Sequence, residues 1–254
     1  MEDAADILKG QTAVVSGSSS GIGRAIALAL ADAGANVLVH ARKNGRDAEK
    51  VAFDLRSQGR DTRVVLADLS DPCEQDRLVE DAWDWRPIDI WINNAGTDVL
   101  TGDAASWSFE EKLSALWKVD VVASLRLSRA AGQRMRERGH GVILNMGWDQ
   151  ADTGMAGDSG EFFAAVKGAV MAATRSLAKS LAPQVRVNCI APGWTRTEWG
   201  QQASPEWQER AKRESLLARW GEPEDVARVA CFLVSPAASF INGQIISVNG
   251  GRAD

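Results

Sequence analysis

The feature that most constrains this chain is a regular alternation. Short, β-branched apolar runs take turns with longer stretches of helical periodicity. TAVVS (12–16), NVLVH (36–40), TRVVLA (62–67), DIWIN (89–93), GVILNM (141–146), VRVNCIA (185–191) and QIISVN (244–249) read as seven strands. They are short and apolar on both faces, as parallel strands covered by helices on two sides should be. Between them, Gly21–Ala33, Ala48–Ser57, Gln75–Trp85, Phe109–Arg138, Glu161–Ala182 and Pro223–Leu233 are helix candidates; Ile22, Ile26 and Leu30 show the spacing. Gly34, Gly59, Pro72, Gly139 and Pro183 punctuate the joints. Such an order predicts an α/β fold, a single doubly wound domain. A seven-stranded parallel sheet carries helices on both faces, joined by right-handed crossovers. The 254 residues contain no linker, repeat or low-complexity segment, so one domain over 1–254 is expected. The longest strand-free region, 193–235, is expected to be helical and to include a mobile substrate lid at about 194–220.

Charge and residue usage narrow the function. The net charge is −5 and no basic run stands out, so nucleic acid is not expected as a partner. No apolar run approaches the roughly 18 residues of a membrane-crossing helix. The N-terminal MEDAADILKG is acidic and lacks a signal-peptide core, which predicts a cytoplasmic protein. Cys73, Cys189 and Cys231 lie far apart, and His40 and His140 are the only histidines, so no metal site is expected. Ten tryptophans but no tyrosine are present, which rules out any mechanism that needs a phenol from this chain.

The first strand runs into SGSSSGIG, Ser16–Gly23, which opens a helix. Gly17, Gly21 and Gly23 let a backbone turn tightly and approach a pyrophosphate, and the helix start adds free N–H groups and a positive dipole end. An NAD site usually carries an acid at the end of the second strand, to hold the ribose hydroxyls. His40-Ala41-Arg42 has none, and Arg42 suits a 2′-phosphate, so NADP(H) is favoured with NAD(H) as the alternative. Asp68 follows the third strand, either to accept a bond from adenine or as a turn residue ahead of Asp71-Pro72. Asn93–Gly96 (NNAG) forms a polar turn at the carboxyl edge of the sheet, where ligands bind in this architecture.

The order GxxxGIG, NNAG, a Lys in the helix after the fifth strand, APG with a Thr, and a VNGG end resembles the short-chain dehydrogenase/reductase family over essentially the whole chain. The resemblance implies a Rossmann-type dinucleotide site. Gly17, Gly21, Ile22 and Gly23 would hold the pyrophosphate, with Ser19 and Ser20 beside them. Asp68 and Asn94 would flank the adenosine half, with Leu69, Ala95 and Gly96 along the same edge. Lys167 would hold the nicotinamide ribose, and Thr197, following Pro192 and Gly193, would contact the carboxamide. The C-terminal segment looks like the family's oligomer-forming end, which implies a homodimer or homotetramer.

The catalytic end departs from that pattern. The family reduces carbonyls with an Asn–Ser–Tyr–Lys set, the Tyr lying four residues before the Lys. Counting back from Lys167 gives Phe163, which has no ionisable group. Trp148 falls at the position of the Ser and Asp120 at that of the Asn. Asp149, nearest the end of the fifth strand, is the favoured replacement acid, with Asp152, Asp158 and Glu161 as further candidates. Each has a structural alternative: helix capping for Asp158 and Glu161, a solvated loop for Asp149 and Asp152. Trp148, Phe163 and Trp194 are expected to wall an aromatic pocket for a small, planar or cationic substrate, with core packing an equal account of the tryptophans.

Two functions follow. One is an NADP(H)-dependent oxidoreductase with a non-standard site, acting on an imine, an activated alkene or a carbonyl. The other is a catalytically silent, cofactor-binding subunit of a hetero-oligomer.

Overall fold

The computed structural model describes residues 6–252; Met1–Ala5, half of the acidic N-terminal segment, and Ala253–Asp254 lie outside them. Seven parallel strands form one sheet in the order β3-β2-β1-β4-β5-β6-β7. They are β1 (Thr12–Val15), β2 (Asn36–Ala41), β3 (Thr62–Leu66), β4 (Ile90–Asn93), β5 (Gly141–Met146), β6 (Val185–Pro192) and β7 (Ile245–Val248). The strand order reverses direction between β1 and β4, and that switch point opens a crevice at the carboxyl ends of the strands.

Alternate residues of each strand face opposite cores, as the period of two requires. Ala13 and Val15 join one core with α1 (Gly21–Asp32), α2 (Gly45–Ser57) and α9 (Pro223–Val234). Val14 joins the other, with α3 (Pro72–Trp85), α5 (Ser124–Arg138) and α6 (Asp158–Leu181). Both faces are therefore covered, which is why the strands carry continuous apolar runs. The helices start where local chemistry directs. The Asp71 side chain accepts from the Cys73 N–H ahead of α3, and Ser108 and Glu111 form a capping box at α4 (Phe109–Leu116).

The long helical stretch expected over Phe109–Arg138 is a composite. Between α4 and α5 the backbone takes a π-helical path over Trp117–Ala123. One extra residue per turn re-aims the side chains there, and such segments occur frequently at functional sites. A smaller core of Val99, Leu116, Val121, Phe162, Val166 and Val170 ties this segment to α6. The region after β6 folds into two short helices, α7 (Glu198–Gln202) and α8 (Pro205–Glu214). Among the described residues no helix is long and apolar enough to cross a membrane.

Candidate active site

The turn from Gly17 to Ser20 is built by close contact. Gly17 has φ +65°, and a Cβ on Gly23 would lie 2.2 Å from the Gly17 carbonyl oxygen and 2.4 Å from Asn94 Nδ2. Only glycine lets α1 seat directly on the turn. Asn94 holds the turn from the side: its Nδ2 donates to the carbonyls of Ser16 (3.0 Å) and Gly17 (3.1 Å). Ser16 Oγ in return accepts from the N–H groups of Asn94 and Ala95. Ser20 is the N-cap of α1 and makes no side-chain cap bond, and no acid stands in the first turn. The positive end of the helix dipole is thus left for an anion.

Beside this turn lies a pocket of about 290 Å³ lined by Gly17, Ser19, Ser20, Arg42, Asp68, Leu69, Asn94, Ala95 and Gly96. Arg42 is exposed at its edge. Asp68 lines the pocket but also takes the turn role: its Oδ1 accepts from Ser70 N–H (2.9 Å) and Ser70 Oγ (2.7 Å). A glycine cradle, a free N-cap hydroxyl and a guanidinium on one wall fit the phosphates and ribose of a dinucleotide.

The crevice continues into a cleft of about 530 Å³. Its walls include Ile22, Asn94, Lys167, Pro192, Gly193 and Thr197, together with Trp148, Phe163 and Trp194. Phe163 and Lys167 share one face of α6, one turn apart. Trp148 meets Phe163 edge-on, ring centroids 6.1 Å apart, and the cleft stays open around them. Lys167 Nζ sits 2.8 Å from Asp120 Oδ1. Asp120 is 2% exposed, is presented by the π-helical segment, and accepts the Thr97 N–H on its second oxygen at 3.1 Å.

Asp149 does not take the place expected of it. It lies behind Trp194 and lines a separate small cavity with Glu214, Ser215 and Arg252. Its Oδ2 accepts from Asn249 Nδ2 at 3.1 Å and its Oδ1 is buried without a partner. Burial pushes its carboxyl above the ordinary range. Proximity in sequence to a strand end did not fix the side-chain direction, because a 3₁₀ turn over Asp149–Ala151 reorients the chain. Asp158 and Glu161 stand in the first turn of α6, whose N-cap is Gly157, and both are exposed. Asp152 is exposed and is not among the cleft's lining residues.

The carboxylate that does line the cleft is Asp98, two residues past NNAG. Ser159 also lines it, one turn of α6 before Phe163. Asp98 was findable as part of a polar turn at the ligand-binding edge; Ser159 from its spacing to Phe163. Trp199 and Trp207 complete the wall. With Trp194 and Trp220 they form a cluster whose ring centroids lie 5.2–6.3 Å apart. Arg210 stacks on Trp194 and Trp207, and Glu214 accepts from Trp194 Nε1 at 2.7 Å.

A family model described as enoyl-(acyl carrier protein) reductase matches residues 17–253. The chain belongs to the short-chain dehydrogenase/reductase family. It is 34% identical to an NADPH-dependent aldehyde reductase 2, chloroplastic, of Arabidopsis thaliana, over 96% of this chain and 94% of that protein. Among solved short-chain dehydrogenase/reductase structures, a 7α-hydroxysteroid dehydrogenase complexed with NADH and 7-oxoglycochenodeoxycholic acid superposes with a TM-score of 0.90 at 29% identity, covering 100% of this chain and 98% of that one. A putative NAD(P)-dependent gluconate 5-dehydrogenase from Beutenbergia cavernae, with NADP bound, gives 0.87 at 34% identity, covering 98% of each chain. As a short-chain dehydrogenase/reductase the chain is placed among NAD(P)-dependent oxidoreductases.

Proposed function

We propose that the chain is an NADP(H)-dependent reductase that works without a phenolic proton donor, on flat substrates bearing an imine or an activated alkene, and on carbonyls less readily. The observation that carries this is Phe163. The resemblance puts it at the position of the family's acid, and it lies one turn from Lys167 in a cleft that remains open. Arg42 directly after β2, where residues 40–42 include no acid, supports the 2′-phosphate form of the cofactor.

Bound in the crevice, the dinucleotide supplies a hydride. Reducing a carbonyl makes an alkoxide, which needs a proton and stabilisation of charge; removing the groups that provide these commonly costs orders of magnitude. An imine basic enough to take its proton from water enters as the iminium, whose reduction gives a neutral amine and needs no acid at the hydride step. An activated alkene gives an enolate, which water can protonate. The residues suit this division of labour. Lys167 is paired with Asp120 and holds the ribose side, while Trp148, Phe163, Trp194, Trp199 and Trp207 offer ring faces to a flat or cationic substrate. Asp98 supplies a carboxylate on the wall.

The test is a turnover panel of cyclic imines, enones and ketones with NADPH and NADH. The proposal expects imine or enone reduction to exceed ketone reduction, with NADPH preferred. No hydride transfer to any class would favour the silent, cofactor-binding subunit instead. A homodimer or homotetramer is part of the proposal, supported by exposed Trp117, Val122, Phe232 and Phe240, and is checked by light scattering.

A further inference from the structure

His40 is 2% exposed at the end of β2 and is used by neither the proposed chemistry nor any metal cluster among the described residues. Its ring joins two loops. Nδ1 lies 3.0 Å from the Gly17 amide nitrogen, and Nε2 lies 3.0 Å from the Ala67 carbonyl oxygen. An amide N–H can only donate and a carbonyl can only accept, so Nδ1 carries the lone pair and Nε2 the hydrogen. The imidazole is therefore neutral and in one tautomer. Its backbone repeats the connection: His40 N–H donates to Ser18 Oγ at 3.0 Å and the His40 carbonyl accepts from Ser18 N–H at 2.9 Å.

The two loops are the two halves of the nucleotide site. Gly17 begins the turn that faces the pyrophosphate, and Ala67 precedes Asp68 and Leu69 on the adenosine side. They follow β1 and β3, which are not neighbours; β2 lies between them, and His40 reaches out from its end to both. We propose that His40 is a positioning residue for the dinucleotide, a rigid two-ended spacer that sets the separation of the pyrophosphate turn from the adenosine-side loop. Few side chains place an acceptor and a donor at opposite ends of one ring. Presetting that separation lowers the ordering cost of binding a ligand that spans both loops.

This inference rests on the NADP(H) reading of the pocket, and the test separates the two. Binding is measured by titration calorimetry on wild type, His40→Asn and His40→Gln, well below their melting temperatures. Asn keeps an acceptor where Nδ1 was, and Gln keeps a donor where Nε2 was, so each variant retains one tie. Two ligands are used: NADP⁺, which spans both loops, and adenosine 2′,5′-bisphosphate, which occupies the adenosine side only. The expected result is a loss of about tenfold for NADP⁺ in each variant, the value of one hydrogen bond, with a smaller loss for the fragment. Wild-type affinity in a folded variant, or equal losses for both ligands, would overturn the spacer role. A residue that served stability alone would lower the melting temperature and leave the affinity of the folded protein unchanged. If the wild type binds neither ligand, the NADP(H) reading itself fails, and the inference with it.

Discussion

Lys167 Nζ and Asp120 Oδ1 stand 2.8 Å apart, on α6 and on the π-helical segment between α4 and α5. The Asp120 side chain is 2% exposed and that of Lys167 15%. The pair joins the cleft face of α6 to the π-helical segment. A sheltered charge that loses its partner is costly, so the pair is best probed by removing one member.

Asp120→Ala leaves the Lys167 ammonium and the Thr97 N–H without their shared acceptor. We expect a loss of about 3 kcal/mol in urea unfolding, as for a buried pair broken on one side. Asp120→Asn keeps an acceptor oxygen and should cost about 1 kcal/mol. Equal stabilities for wild type and the alanine variant would show that the contact contributes nothing.

Phe163→Tyr places a hydroxyl on the cleft face of α6, one turn from Lys167. Because the ring already lines the cleft, folding should be little affected. Ketone reduction is expected to rise at least about 100-fold, the lower end of the usual contribution of a general acid, and to acquire a pH dependence the wild type lacks. Unchanged ketone turnover in a folded variant would count against the family alignment at Phe163.

Arg42→Ala is expected to raise KM for NADPH by about 10- to 100-fold, the value of a charged hydrogen-bonded pair of roughly 1.5–3 kcal/mol. KM for NADH should hardly move. Parallel changes for both cofactors would place the 2′-phosphate elsewhere.

Asp149→Asn tests the corrected placement. Burial favours the neutral form of Asp149, so its folded-state pKa lies above the unfolded value. Stability from this group therefore increases as pH falls through the folded pKa, and the carboxylate is a burden at neutral pH. The amide, which carries no charge, should leave the melting temperature at pH 7 unchanged or higher, and turnover within about twofold, since the residue is outside the cleft. A tenfold fall in turnover would restore Asp149 as an acid.

His40 makes stability depend on pH in the opposite sense. Burial pushes its pKa from 6.5 down to about 4. The unfolded chain takes up a proton below 6.5 while the folded one does not, so stability present above 6.5 is lost as pH falls towards 4. The whole span corresponds to about 3 kcal/mol, and the part between pH 6.5 and 5 to about 2 kcal/mol. Thermal melts of wild type should fall more steeply over that interval than those of His40→Asn.

The sheet was legible because parallel strands buried on both faces carry an unbroken apolar signature, and the strand limits differ from expectation by no more than one residue. The π-helical segment was not. Apolar periodicity over Phe109–Arg138 runs through it without a break, and one extra residue in a turn leaves no compositional trace. That the glycine turn and NNAG share one crevice was readable from motifs that act through the backbone. The acidic side chains were harder. Asp149 is turned by a partner, Asn249, a hundred residues away, and no local pattern announces that contact. Asp98, in contrast, stands in a turn that the strand pattern had already brought to the ligand edge.

The tryptophan cluster on the cleft wall has an optical consequence. With no tyrosine in the chain, its near-ultraviolet emission arises from indoles alone. Four of these are linked by close ring pairs, and three of the four, Trp194, Trp199 and Trp207, line the cleft. Indoles emit where a reduced nicotinamide absorbs, so a reduced dinucleotide bound in the crevice would quench the cluster by energy transfer. Any displacement of α7 and α8 changes both that transfer and the coupling among the rings. The region after β6 thus carries its own chromophore, and any movement of it can be followed in the unlabelled protein.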